Sequence, residues 1–240
     1  MKHPELNHHS KKADDIYAME ILQPLIIDLP YLPFNGGSLR PLGIAYILNE
    51  IIMNQRKMVL EFGSGLSTVL MARLIKKNNL NVKIVTVEHN KQWATIIEGY
   101  LINEDLLGYV DIIQADLKEM ETSLGKVNWY DYETVLKGVE NKKFDLITVD
   151  GPPANGKKIR YSRFPAFIKM KDFFEEDFCL IVDDANRKGE QKIVKAIKKI
   201  RPDLHYTMVS ETMAVFRKIS SFNPIPLKYK NQISFKDFVL

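Results

Sequence analysis

Residues 59–68 read VLEFGSGLST. A carboxylate, Glu61, stands in an apolar run and is followed by Gly63 and Gly65. Glycine at such a point lets the backbone turn sharply and approach a ligand with no Cβ in the way. A dinucleotide fingerprint would continue as G-x-G-x-x-G and hold a pyrophosphate at the next helix N-terminus. Here the third position is Thr68, and Glu61 would repel a pyrophosphate. The stretch favours a ligand with a positive group and no phosphate. Two more acids follow at the ends of apolar runs. Glu88 closes Val85-Thr86-Val87-Glu88, where a carboxylate suits the two hydroxyls of a ribose. Asp116, after Gln114-Ala115, is placed to accept from the exocyclic amine of an adenine.

A second group of acids lies further along. Asp150 closes Phe144–Asp150, and Asp183, Asp184 and Asn186 follow Val182. Two strand-end acid clusters facing one pocket can hold Mg²⁺ or a similar hard cation through oxygen ligands. A cation there would orient a hydroxyl and lower its pKa. The alternative is that Asp183 or Asp184 caps the next helix and that Asp150 bonds its own loop. Arg160 and Arg163, in Arg160-Tyr161-Ser162-Arg163-Phe164-Pro165-Ala166, suit an acidic group on a substrate, or form ordinary surface salt bridges. The aromatic run Trp129-Tyr130-Asp131-Tyr132 offers a wall for a substrate pocket, or a packed helix end.

These residues need a scaffold that gathers strand ends, and the hydrophobic pattern supplies one. Strands are expected at Met58–Phe62, Val82–Glu88, Val110–Ala115, Phe144–Asp150 and Phe178–Asp183, with Leu204–Val209 and Thr212–Phe216 as a closing hairpin. Helices are expected over Thr68–Lys76, Trp93–Asn103, around Ala166–Phe174 and over Glu190–Ile200. Lys118–Asn141 reads as mixed and in part helical. Ser38 reads as an N-cap with Pro41 in the first turn. Strands alternating with helices imply a doubly wound α/β sheet, mostly parallel and covered on both faces. Residues 1–37 read as a polar tail and approach segment, 38–218 as the domain and 219–240 as a C-terminal tail.

Composition narrows the classes. The chain of 240 residues carries a net charge of +4, well short of a nucleic-acid footprint. The basic stretch Lys192–Arg201 has the spacing of a helix that packs an apolar stripe and solvates its lysines. Nucleic acid is not expected as a partner. The single cysteine, Cys179, lies in an apolar strand run and cannot form an internal disulfide. The N-terminus lacks the apolar core of a signal peptide. The run Ile21–Leu32 is broken by Pro24, Asp28 and Pro30, and a bilayer span takes about 20 apolar residues. A soluble, cytoplasmic protein is expected.

Glu61-Phe62-Gly63-Ser64-Gly65, Glu88, Asp116 and Phe144–Asp150 resemble the ordered motifs of class I S-adenosylmethionine-dependent methyltransferases, over roughly residues 38–217. The loop Asp150-Gly151-Pro152-Pro153 and the stretch Asp183-Asp184-Ala185-Asn186-Arg187 are similar to a bacterial V-D-G-P-P group of that class. More distantly, Asp150, Asp183 and Asp184 resemble the metal site of catechol-type O-methyltransferases. The resemblance implies a Rossmann-like sheet of seven strands, matching the pattern above, with the last two forming an antiparallel hairpin. It implies S-adenosylmethionine as cofactor, contacted by Glu61, Gly63, Ser64, Gly65, Ser67, Thr68, Glu88, His89, Asp116, Leu117 and Asp150. Glu61 would lie near the amino group of the methionine part, directly or through water. Asp150 is the expected catalytic residue, Arg160, Arg163, Trp129 and Tyr130 the expected substrate contacts, and Asp150, Asp183 and Asp184 the ligands of a Mg²⁺ ion. The expected acceptor is an oxygen on a small or sugar-like molecule. A nicotinamide oxidoreductase and a cofactor-binding module without transfer activity are the rival readings.

Overall fold

The computed structural model describes residues 4–157, 159–218 and 222–226, with side chains described from residue 13. The chain runs α1 (Pro4–Leu22), α2 (Pro41–Met53), β1 (Met58–Phe62), α3 (Leu66–Lys77), β2 (Lys83–Glu88), α4 (Lys91–Asn103) and β3 (Val110–Gln114). It continues through β4 (Leu117–Thr122), β5 (Gly125–Tyr130), α5 (Tyr132–Val139), β6 (Phe144–Val149), α6 (Pro165–Ile168), β7 (Phe174–Val182), α7 (Lys188–Ile200), β8 (His205–Met208) and β9 (Ala214–Arg217).

The main sheet has seven strands in the order β3-β2-β1-β6-β7-β9-β8. The first five are parallel, and β9 pairs antiparallel with both β7 and β8. Alternation along each strand sends side chains to opposite faces. Val59, Ile84, Leu146, Cys179 and Ile181 join one core with α2, α3 and α4. Leu60, Phe62, Val85, Ile147, Leu180 and Val182 join the other with α5, α6 and α7. Both faces are covered, which is why the central strands read as unbroken apolar runs. β1 is the switch point, with β2 on one side and β6 on the other. The loops leaving β1 and β6 must diverge there and leave a crevice.

Four elements depart from the sequence pattern. Residues 4–22, expected as a polar tail and irregular approach, form a helix. Ala18 and Leu22 of that helix are buried in the first core, and Asp15 accepts from Arg40 Nε at 2.8 Å. Tertiary contact of this kind supplies what helix propensity lacks. α2 begins at Pro41 with Arg40 as N-cap, because proline is preset for the first helical position. Ser38 instead closes a turn, its hydroxyl accepting from Asn35 N at 3.3 Å. The mixed segment 117–130 is an antiparallel hairpin turning at Gly125, whose φ is +110°. The helix expected around 166–174 ends at Ile168, and β7 already starts at Phe174, paired with Phe144. Within the C-terminal tail, residues 222–226 lie on α2, where Asn49 and Asn54 donate to Pro224 O and Phe222 O at 3.1 and 3.0 Å. The rest of 219–240 lies outside the described residues.

A buried charge network closes the end of the sheet opposite the crevice. Glu50, fully buried in α2, accepts from Arg56 Nε at 2.9 Å and from Arg217 of β9. Asp145 accepts from the backbone amides of Lys57 and Met58 at 2.8 and 2.9 Å. Removing one partner from a buried ion pair leaves an uncompensated charge. Glu50→Gln is expected to lower unfolding free energy by about 3 kcal/mol, read from urea denaturation. An unchanged midpoint would show that Arg56 and Arg217 find other partners.

Candidate functional site

The turn after β1 and the loop after β6 cross at two glycines. Gly63 has φ +94°, a conformation that side chains rarely adopt. A Cβ there would lie 2.9 Å from Gly151 N, and one on Gly151 would lie 2.8 Å from Gly63 Cα. Phe62 O accepts from both Asp150 N and Gly151 N, at 3.0 and 2.6 Å. Gly65 differs: its φ of −175° is ordinary extended backbone, and a Cβ there would meet nothing within 4 Å. Gly63 answers a packing need inside the protein, while Gly65 borders open space.

Glu61 does not face the cleft in the way the sequence suggests. It is buried on β1, with Oε1 accepting from Ser67 Oγ at 2.6 Å and Oε2 from Thr68 Oγ1 at 2.5 Å. Thr68 Oγ1 in turn accepts from Gly65 N at 2.9 Å. Glu61, Ser67 and Thr68 thus brace the first turn of α3 from behind. Burial pushes the Glu61 carboxyl up from 4.5 to about 7, against the pull of the two hydroxyls.

Glu88, at the end of β2, does line the cleft. Oε2 accepts from Ser64 N and Ser64 Oγ, both at 3.2 Å, and Oε1 from the amides of His89 and Asn90 at 2.8 and 2.7 Å. Burial alone would raise its pKa, but the bonds from His89 and from the backbone outweigh it and hold the carboxyl below its ordinary value. It is a carboxylate ready to accept.

The cleft itself encloses about 360 Å³ over the carboxyl ends of β1, β2 and β6. Gly63 and Ser64 form its floor with Asp150 and Gly151, and Gly36 to Ser38 form one rim. A smaller depression of about 240 Å³ adjoins it past Gly65, Leu66 and Ser67. Trp93, which no sequence signal marks, lines both and donates Nε1 to Ser64 O at 2.8 Å. Tyr130 reaches the cleft from β5, and its hydroxyl is buried with no hydrogen-bond partner among the described residues.

At the far wall, one carboxylate oxygen from each of Asp150, Asp183 and Asp184 lies within 4.8 Å of the others. The spacing of the three acids was legible in the sequence; what lies between them was not. Arg163 Nη2 donates to Asp150 Oδ1 at 3.1 Å and Nη1 to Asp184 Oδ2 at 2.9 Å. Burial raises the Asp150 carboxyl well above its ordinary range; Arg163 opposes this, and Asp183 and Asp184 add to it. Burial, then Asp184, raises Asp183 likewise.

Several expected site residues lie elsewhere. Trp129 is fully buried against Phe62, 5.6 Å between ring centroids, and belongs to the second core. Tyr130 beside it is buried in the same core, 5.9 Å from the Phe62 ring between centroids, and also lines the cleft. Asp116 and Leu117 are exposed and do not line the cleft. Arg160 packs against Gly189 at the start of α7 and is also outside it. Arg187, which contacts Asp184 Oδ2 at 2.6 Å, is the second guanidinium on the cleft wall.

A Rossmann-like sheet with a C-terminal antiparallel hairpin and a strand-end cleft holding a glycine turn defines the class I methyltransferase fold. The sequence profile of a methyltransferase domain family matches residues 60–185, more than half of the chain, and the chain belongs to that family. Its structure is similar to an SAH-bound methyltransferase from Podospora anserina, at 14% identity and TM-score 0.59, covering 92% of this chain and 98% of that one. It is also similar to an O-methyltransferase from Bacillus cereus in complex with SAH, at 16% identity and TM-score 0.52, covering 85% and 90%. A third is the O-methyltransferase TomG from Streptomyces achromogenes, involved in tomaymycin synthesis and in complex with SAM, at 15% identity and TM-score 0.52, covering 88% and 89%. No curated protein sequence matches the chain. Among the described residues, no helix is long and apolar enough to cross a membrane.

Between pH 4.5 and about 7 the folded chain holds a proton at Glu61 that the unfolded chain releases. Glu61 therefore makes stability fall as pH rises through that window and level off above it. Glu61→Gln is expected to reduce the stability lost between about pH 5 and pH 8 by on the order of 2 kcal/mol, read from paired urea titrations. Equal losses in both proteins would mean that Glu61 ionises in the fold as it does in the open chain.

Proposed function

We propose that this methyltransferase uses S-adenosylmethionine and transfers the methyl group to an oxygen of a small-molecule or sugar-like acceptor. The observation that carries this is the single cleft in which Gly63, Ser64, Glu88 and Asp150 meet. When bound, S-adenosylmethionine supplies an electrophilic methyl group on a sulfonium. The chain's own work is then alignment of the acceptor and removal of its proton. Glu88, held ionised by its amide donors, is assigned the ribose hydroxyls, with Ser64 beside it. The nucleoside end is assigned to His89 and Asn90, which line the cleft, rather than to Asp116 and Leu117, which do not. The open space at Gly65 and Leu66 receives the methionine part. Glu61 serves this cofactor indirectly, by fixing the turn through Ser67 and Thr68.

Asp150 is assigned the acceptor proton. It follows β6 directly, lines the cleft and has Oδ1 fixed by Arg163. Tyr130 forms part of the acceptor wall, and its unpartnered hydroxyl supports a polar contact there. Arg187, paired through one nitrogen with Asp184 Oδ2 at 2.6 Å, is assigned to an acidic group on the acceptor through its remaining donors. The carboxylates around the cleft disfavour the pyrophosphate of a nicotinamide cofactor, which argues against an oxidoreductase. The similar Bacillus and Streptomyces proteins are O-methyltransferases, which supports an oxygen acceptor.

Transfer of labelled methyl from S-adenosylmethionine into fractionated cell extract tests the reading. Label is expected in small molecules or glycans; label in nucleic acid alone would overturn the acceptor class. Glu88→Ala is expected to weaken cofactor binding at least about tenfold by calorimetry, with unchanged circular dichroism. Gly65→Ala is expected to change stability by under about 1 kcal/mol yet weaken the cofactor, because the space it fills is the ligand's. Asp150→Asn is expected to keep cofactor affinity and lower transfer by about 10²-fold or more. Full transfer by that variant would remove Asp150 from the proton step.

A further inference from the structure

The sequence points to a divalent cation held by Asp150, Asp183 and Asp184. The three carboxylates do converge, but a cation already sits among them. Arg163 leaves the loop after β6 and is only 5% exposed. All three of its guanidinium nitrogens are engaged. Nη2 donates to Asp150 Oδ1 at 3.1 Å, and Nη1 donates to Asp184 Oδ2 at 2.9 Å and to Asp183 O at 3.3 Å. Nε donates to Pro152 O at 3.3 Å. Asp184 Oδ2 also meets Arg187 Nη1 at 2.6 Å. Glu190, wholly buried in the first turn of α7, adds a further acidic group whose charge favours the ionised guanidinium.

We propose that Arg163 is the resident cation of this acidic cluster and that it excludes a divalent metal from it. Mg²⁺ requires near-octahedral oxygen ligands at about 2.0–2.1 Å and gives up its water reluctantly. Here two of the three carboxylates it would need are already donated to by one guanidinium. A metal bound to all three acids would sit beside a fixed positive charge that has no route to solvent. The planar fork of arginine joins the loop after β6 to the turn after β7, so it also supplies the geometric tie that a bridging metal would supply. The acceptor oxygen is then oriented by hydrogen bonding at the cleft wall and not by chelation.

Direct metal binding tests this without turnover. Mn²⁺ is titrated into chelator-treated protein and followed by electron paramagnetic resonance, for the wild type, Asp183→Asn, Arg163→Gln, and Arg163→Gln combined with Asp183→Asn. The wild type is expected to show no saturable site below about 1 mM. Arg163→Gln is expected to gain one site at least about tenfold tighter, which the added Asp183→Asn removes. A wild-type site lost on Asp183→Asn alone would overturn the proposal. So would a folded Arg163→Gln that gains no site. Should Arg163→Gln fail to fold, amide spectra of the wild type decide. Sharp Gly151 and Asp184 resonances in Mn²⁺ uphold the proposal, and paramagnetic broadening of either overturns it. Cofactor calorimetry on the same samples reports separately on the methyltransferase reading, so either idea can fail alone.

Discussion

A guanidinium almost wholly withdrawn from water stays there only if counter-charges surround it. Arg163 meets that condition with Asp150 on one side and Asp184 on the other. The ladder already pairs the ends of β6 and β7 at Val149 and Val182; this bridge ties the two segments that follow them and so braces the far wall of the cleft. It also holds Asp150 in one orientation beside the glycine crossing. Breaking such an arrangement would leave buried acids without compensation, which makes the wall a rigid part of the site.

The crossing of Gly63 and Gly151 is the complementary constraint. Two backbones approach closely because neither carries a side chain. The turn after β1 is thereby pressed against the loop after β6, and Glu61, Ser67 and Thr68 brace it from within. The open face of the turn is left toward the cleft. The ends of the sheet divide the work: ion pairs around Glu50 join helix and strands at one, and carboxylates and arginines line a cavity at the other. In a parallel sheet this follows from topology, since the loops leaving neighbouring strands on either side of the switch point run to opposite faces and leave a crevice beyond the carboxyl ends.

Much of this was legible in the sequence. Unbroken apolar runs marked the parallel strands, because burial on both faces leaves no room for polar alternation. Glu88, Asp150, Asp183 and Asp184 were placed at strand ends by counting, and they line the cleft. The N-terminal helix was missed because it owes its form to packing on the first core, and the hairpin 117–130 because its first strand is mostly exposed and polar and so carries no buried apolar run.

Spacing along the chain fixes which strand end a residue occupies and, by the twofold alternation, which face it takes once the register is known. The sequence by itself therefore determined the sheet, the glycine turn and the strand-end acids. Only the tertiary structure decided where their side chains point: Glu61 inward onto two hydroxyls, Trp129 and Tyr130 both onto Phe62 in the core, with Tyr130 also lining the cleft. It alone brought Arg163 between acids 13 and 21 residues away. The physical reason is that a buried charge chooses its partners through space, where distance and desolvation set the energy, and chain separation carries no record of either.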